Sequence, residues 1–369
     1  MSKPRIIISG GGTGGHIFPA LSIAESIKAI EPETEFLFVG AEGRMEMEKV
    51  PAAGYKIQGL PVAGLQRKLS LKNLALPFKV IKSVRRAGKI IKEFKPDVVV
   101  GVGGYASAPV LWSAACKGIP TLIQEQNSYA GLTNKILGKK AKRICTAYEG
   151  MEKFFPADNI ILTGNPIRKN INRPTEEQRK EGYEYFKLDP ERRTIFVVGG
   201  SLGSATLNNA MKKWVVDRAD KADCQVIWQS GKFYKSGIDA FLEGRNLGNV
   251  RNFDFISRMD LAYAVADVII SRAGAGTISE LCIAGKATIF VPSPNVTEDH
   301  QTHNAMALVN KDAAMMVKDC EAAEKLMDMA EALLRDEAKI ASLEKNILTL
   351  AKKDAGEVIA REVLALIGK

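Results

Sequence analysis

The chain has 369 residues, of which 46% are hydrophobic and 25% charged, an ordinary globular composition at a length where one core stops growing and two domains are expected. Its formal net charge of +10 favours anionic partners such as phosphorylated substrates, acidic lipid or nucleic acid. The five cysteines, Cys116, Cys145, Cys224, Cys282 and Cys320, have no CxxC or metal-ligand spacing, and their odd number argues against a closed disulfide set, so a reducing cytoplasm is the expected home.

In chain order, the first predicted strand, Ile6 to Ser9, starts too early to leave room for a secretory signal. It feeds into Gly10, Gly11, Gly12, Thr13, Gly14, Gly15 and His16 before an apolar helix. Bare backbone amides at a helix start suit a phosphate or diphosphate, and His16 closes the loop as a candidate base or phosphate contact. Gly10, Gly12 and Gly15 formally spell GxGxxG, but the next strand, Phe36 to Val39, ends without the acid that a dinucleotide site needs. GxxxxGK[ST] does not occur, which argues against a P-loop hydrolase.

Between Arg67 and Lys95 ten basic residues, among them Lys79, Lys82, Arg85 and Arg86, stand against the single acid Glu93, interleaved with Leu71, Leu74, Leu76, Phe78, Val80, Ile81 and Val84. This pattern suits an anionic membrane surface; a solvated helix with an apolar core side is the competing reading. Nucleic acid is not expected, because neither a binding motif nor an aromatic platform accompanies the charge. The uncharged stretch Val98 to Cys116 is split by three glycines and Pro109 into a buried strand, a glycine loop and a helix, and so is not a membrane span.

After a strand at Thr121 to Ile123, the residues Gln124, Glu125, Gln126 and Asn127 crowd a strand end, either as substrate contacts with Glu125 as a base or as a polar turn. A strand at Arg143 to Thr146 follows, and the polar text from Gly164, punctuated by Pro166 and Pro174, reads as a linker. The alternation then restarts with Thr194 to Val198 and a loop containing Gly199, Gly200, Ser201 and Gly203, and strands are predicted at Cys224 to Trp228, Val250 to Phe253, Val268 to Ile270 and Ala287 to Val291. Within Val268 to Gly285, Thr277 and Glu280 fit a capping box, which competes with a ligand reading of Gly274 to Thr277 and Glu280.

The fold expected is α/β, with two tandem Rossmann-like domains built on doubly wound parallel sheets and a cleft between them. The boundaries expected are 1–165 and 166–345, with a C-terminal helical segment, 346–369, packing back on the first domain.

Taken together, GGGTGGHIFPA, GVGGYASAP, QEQNSYAGLTNK, GNPIR, VVGGSLGS, SRAGAGTISE and EDHQTHNA, in that order over nearly the whole chain, resemble the MurG family of bacterial peptidoglycan transferases. The resemblance implies a GT-B fold and an inverting glycosyltransferase. It would move N-acetylglucosamine from UDP-N-acetylglucosamine to the C4 hydroxyl of undecaprenyl-diphosphate-linked N-acetylmuramoyl-pentapeptide, converting lipid I to lipid II. It implies donor contacts at Arg168, Ser201, Ile256, Gly276, Thr277, Glu280, His300 and Gln301, with Thr13, Gly14, Gly15 and Asn127 reaching the donor from the first domain. Acceptor contacts are implied at Gly14, Gly15, His16, Gly103, Gly104, Tyr105 and Asn127. His16 or Glu125 is the implied base.

The family commonly shows histidine where this chain has Gln124, so no histidine role carries over there. Without a D-x-D motif, no obligatory metal or cofactor is expected, the leaving diphosphate being met by helix N-termini and backbone amides. The implied place is peripheral, on the cytoplasmic face of the cell membrane. The rival readings are a UDP-N-acetylglucosamine 2-epimerase, which needs no membrane face, and a non-catalytic sugar-nucleotide binding protein at the membrane.

Overall fold

The computed structural model describes residues 3–62, 76–168, 170–200, 202–245 and 247–368, the side chains of 76–78 excepted. The chain divides into two compact units, Met1–Ile167 with Lys352–Lys369, and Arg168–Ala351.

The first unit carries β1 (Arg5–Ser9), α1 (Gly14–Ile30), β2 (Glu35–Ala41), α2 (Glu46–Ala52), β3 (Ile57–Leu60), α3 (Leu76–Phe94), β4 (Val98–Gly101), α4 (Ser107–Cys116), β5 (Thr121–Glu125), α5 (Leu132–Gly138), β6 (Arg143–Thr146) and β7 (Ile160–Leu162). Its seven strands are all parallel in the order β3-β2-β1-β4-β5-β6-β7. The strand order reverses between β1 and β4, the switch point at which ligands of open α/β sheets bind.

Alternation along β1 fills both faces of this sheet. Ile6 and Ile8 pack with Ile17, Ile23 and Ile27 of α1, while Ile7 joins Ala87, Ile90 and Ile91 of α3 on the other side. The final helix of the chain, Ala355–Ala365, puts Ile359, Ala360 and Val363 into the α1 side of this core.

The second unit repeats the plan with α6 (Glu176–Phe186), β8 (Thr194–Val198), α7 (Ala205–Asp217), β9 (Gln225–Gln229), α8 (Lys235–Leu242), β10 (Val250–Phe253), α9 (Met259–Val265), β11 (Val268–Ser271), α10 (Ala275–Ala284), β12 (Thr288–Phe290), α11 (His300–Val309), β13 (Met315–Met316), α12 (Ala322–Leu334) and α13 (Glu337–Leu348). The parallel order is β10-β9-β8-β11-β12-β13, with its own switch between β8 and β11. Trp214, Trp228, Leu326 and Leu343 fill one side of this sheet.

Three expectations change. Gln124 and Glu125 lie inside β5, because they pair with Cys145 and Thr146 of β6. The end of the expected linker is helical: Thr175 and Gln178 form a capping box at the start of α6. The chain returns to the first unit at Lys352, not at residue 346, since α13 packs on α10 and α12. Among the described residues no helix is long and apolar enough to cross a membrane, and Val98 to Cys116 is divided between β4 and α4.

Candidate active site

At the switch point of the first unit, the loops after β1 and β4 interlock. A Cβ on Gly10 would stand 2.2 Å from Val102 Cγ2, one on Gly104 2.3 Å from the Gly11 carbonyl oxygen, and one on Gly103 2.9 Å from the His16 ring. Gly12, Gly103 and Gly104 also have φ of 89°, 92° and 83°, which side chains rarely adopt. Replacing Gly104 by Ala is therefore expected to destabilise the protein by about 2–4 kcal/mol, read as a drop in the thermal unfolding midpoint.

Much of the glycine run is thus needed by the protein itself rather than by a ligand. Gly14 and Gly15 are different: beyond the helix's own backbone and adjoining residues, a Cβ placed there would meet only side chains, Phe18 at 3.2 Å and Thr13 at 3.6 Å, and as the first two residues of α1 their amides have no carbonyl one turn back. Thr13 occupies the N-cap without a side-chain cap, so the positive end of α1 stays open to an anion. The Thr13 hydroxyl instead lies 3.2 Å from His16 Nδ1, which orients the half-exposed imidazole. Tyr105, on the β4 loop, is exposed.

Glu125 does not sit as a solvent-facing base. Its carboxylate is buried and accepts the amides of Asn127 (3.0 Å) and Gly131 (3.1 Å) and the side-chain amides of Asn127 (3.3 Å) and Asn134 (2.8 Å). Burial pushes its carboxyl up, and these hydrogen bonds pull it part of the way back. With four donors on two oxygens, Glu125 organises the loop that presents half-buried Asn127. Gln124 and Gln126 are also buried: Gln124 donates to Asn165 Oδ1 (2.9 Å), and Gln126 donates to the Val102 carbonyl (2.8 Å), tying β5 to the residue before Gly103.

In the second unit the loops after β8 and β11 are likewise joined. Arg272 donates to the Ser204 hydroxyl from Nε (3.0 Å) and Nη2 (2.7 Å), and the same hydroxyl caps Leu207 N of α7. Ser201 lies outside the described residues. Helix α10 begins at Ala275 with Gly274 as N-cap, so Thr277 and Glu280 lie inside the helix and form no capping box. Gly276 and Thr277 stand in an uncapped first turn, and Gly276 is exposed.

Glu280, freed from capping, accepts a fork from Arg168, Nε to Oε1 and Nη2 to Oε2 at 2.8 Å each, and the Tyr263 hydroxyl at 3.0 Å. Partial burial works against the Arg168 charge, and the Glu280 carboxylate outweighs it, so the guanidinium is held above its ordinary range. Burial and then Glu280 push the Tyr263 phenol well up, so it remains a donor. The Ile256 side chain, just after β10, is buried.

In the β12–α11 connection Glu298 and Asp299 take positive φ, the His300 ring contacts the Thr297 carbonyl at 2.8 Å, and Gln301 Oε1 accepts Ser293 N at 2.8 Å. Among the described residues no group of three or more His, Cys, Asp and Glu gathers to hold a metal ion.

Comparison with known proteins defines the class. The glycosyltransferase family 28 N-terminal domain matches residues 6–146 and the family's C-terminal domain matches residues 194–359. The chain is 54% identical to a Parabacteroides distasonis protein over the whole of both chains. It is 57% identical to one from Phocaeicola vulgatus, covering 99% of this chain and 97% of that protein. Both are named UDP-N-acetylglucosamine-N-acetylmuramyl-(pentapeptide) pyrophosphoryl-undecaprenol N-acetylglucosamine transferase. The crystal structure of Acinetobacter baumannii MurG superposes with a TM-score of 0.80 at 27% identity, over 98% of this chain and 99% of that one. The chain is thus a glycosyltransferase, and it belongs to the MurG family of N-acetylglucosamine transferases.

Proposed function

We propose that the chain moves N-acetylglucosamine from UDP-N-acetylglucosamine to the C4 hydroxyl of undecaprenyl-diphosphate-linked N-acetylmuramoyl-pentapeptide, with inversion at the anomeric carbon. One observation carries the division of labour: α1 and α10 each open at a sheet's switch point with no side-chain cap, and both substrates bear a diphosphate. The second unit takes the donor, with Gly276, Thr277 and Ser201 at the diphosphate and Glu280 at the ribose. Arg168 and Ile256 lie toward the uracil, and His300 and Gln301 toward the sugar.

The first unit takes the acceptor, through Thr13 to His16, Gly103 to Tyr105 and Asn127. His16 removes the C4 hydroxyl proton as that oxygen bonds to the anomeric carbon and the bond to UDP breaks. The α10 N-terminus meets the charge left on the departing diphosphate. Glu125 acts through Asn127, as a positioning residue.

The acceptor's lipid calls for a membrane face on the first unit. On α3, Val80 and Ile81 are exposed beside Lys79, Lys82 and Arg85, while Ala87, Ile90 and Ile91 turn into the core, so the core accounts for one side of the helix and the exposed side supports the membrane reading. Arg67, Lys68 and Lys72, with Leu71 and Leu74, lie outside the described residues. Trp112 of α4 with Lys140 over its ring at 4.2 Å, and Leu132 and Ile136 of α5, are exposed too. Such apolar and basic groups bind anionic headgroups peripherally, here on the cytoplasmic leaflet.

The test is UDP release from UDP-N-acetylglucosamine with and without a prenyl-diphosphate muramoyl-pentapeptide acceptor. Acceptor-dependent release with a new disaccharide lipid is expected. Acceptor-independent conversion to the 2-epimer, or binding without turnover, overturns the reading. Sedimentation with phosphatidylglycerol vesicles, weakening as salt rises, checks the membrane face.

A further inference from the structure

Beneath the first glycine loop lies a carboxylate that the proposed chemistry does not use. Glu46, in the first turn of α2, is 1% exposed. Its Oε2 and Oε1 accept the Gly12 amide at 3.0 and 3.2 Å, and Oε1 also accepts the Ala41 amide at 2.9 Å. The backbone has been cleared for it on two sides. A Cβ on Gly11 would stand 2.0 Å from Oε1, and one on Gly40 would stand 2.5 Å from Cγ. A charge this deeply buried is stable only where donors meet it, and the donors here are main-chain amides at the C-terminal ends of β1 and β2.

We infer that Glu46 is a positioning residue for transfer: an internal anion that occupies the Gly12 amide and holds the loop so that Thr13, His16 and the α1 N-terminus face the acceptor. The inference rests on the reading of this loop as the acceptor side. It divides the loop's amides in two. Gly12 is spent on the protein's own carboxylate, which leaves the amides of Gly14 and Gly15 for the substrate diphosphate. Repulsion by the buried charge also keeps that diphosphate from settling deeper, over Gly11 and Gly12.

The test is Glu46→Gln in the full-length protein. Glutamine fills the same volume and keeps Oε1 for Ala41 and for the longer Gly12 contact, but it replaces the shorter contact at Oε2 with an NH2 group facing the Gly12 N–H and removes the charge, so the hold on the loop is weakened while the packing stays. The expected result is a fall in kcat of at least tenfold, with the dissociation constant for UDP-N-acetylglucosamine within twofold of the unsubstituted protein and the thermal midpoint within a few degrees. Unchanged kcat overturns the proposal. So does a loss of donor binding in step with kcat, or a collapse of the thermal midpoint, since either would make Glu46 a general structural support. His16→Ala, assayed in parallel, separates the two levels. If it too turns over normally, the acceptor-side reading of the loop has failed; if it is impaired while Glu46→Gln is not, only the role of Glu46 has failed.

Discussion

His16→Ala is expected to lower kcat by about 10²–10⁴-fold, the usual contribution of a general base, while the affinity for UDP-N-acetylglucosamine stays unchanged. Donor affinity is spared because the ribose and diphosphate contacts proposed for it lie in the second unit, whereas His16 sits at the start of α1 against Gly103. The imidazole can serve as base at Nε2 only in the tautomer that carries its proton on Nδ1, and the Thr13 hydroxyl 3.2 Å from Nδ1 can accept that proton's hydrogen bond. Thr13→Val should therefore reproduce part of the defect, about tenfold in kcat. The acid limb of the kcat/KM profile, which a base that must be neutral produces, should disappear in His16→Ala and persist in Thr13→Val. Equal losses of donor affinity and kcat in His16→Ala would assign the residue to binding instead.

The inner strands are legible from sequence because a strand covered on both faces reads as an unbroken β-branched run, as Ile6 to Ile8, Val98 to Val100 and Val268 to Ile270 do. Among the edge strands, β3, β7 and β13 are not, having two to four residues and only partial burial, whereas β10, equally short and partly buried, is still read at Val250 to Phe253. The glycine loop stands out for its composition, but the cause of much of that composition is hidden. Gly10 and Gly11 make room for Val102 and for the Glu46 carboxylate, partners far away along the chain.

Glu46 looks in the sequence like any first-turn helix acid. Only the fold reveals that its donors are backbone amides, which leave no trace in side-chain pattern. Glu125 deceives for the same reason, because two of its partners are the amides of Asn127 and Gly131. Thr277 and Glu280 have the spacing of a capping box, yet α10 starts at Ala275, and a helix start moved by three residues turns a cap into a buried acceptor.

That buried acceptor yields the second large effect. Glu280→Gln is expected to weaken UDP-N-acetylglucosamine binding by about 10–100-fold, the loss of hydrogen bonds to a charged acceptor. Three donor bonds already fall on the two oxygens, two from Arg168 and one from Tyr263, so a ribose diol can be held only if Arg168 yields at least one of them. Arg168 is able to yield, because its side chain is 49% exposed against 10% for Glu280, and water can take up the released guanidinium. Arg168→Ala tests this exchange from the other side. It strips the buried carboxylate to a single donor, so the thermal midpoint should fall without ligand, and saturating UDP-N-acetylglucosamine should raise it by more than it raises the unsubstituted protein. An equal ligand-induced rise in both proteins would mean that the Arg168–Glu280 pair braces the fold and takes no part in holding the nucleotide.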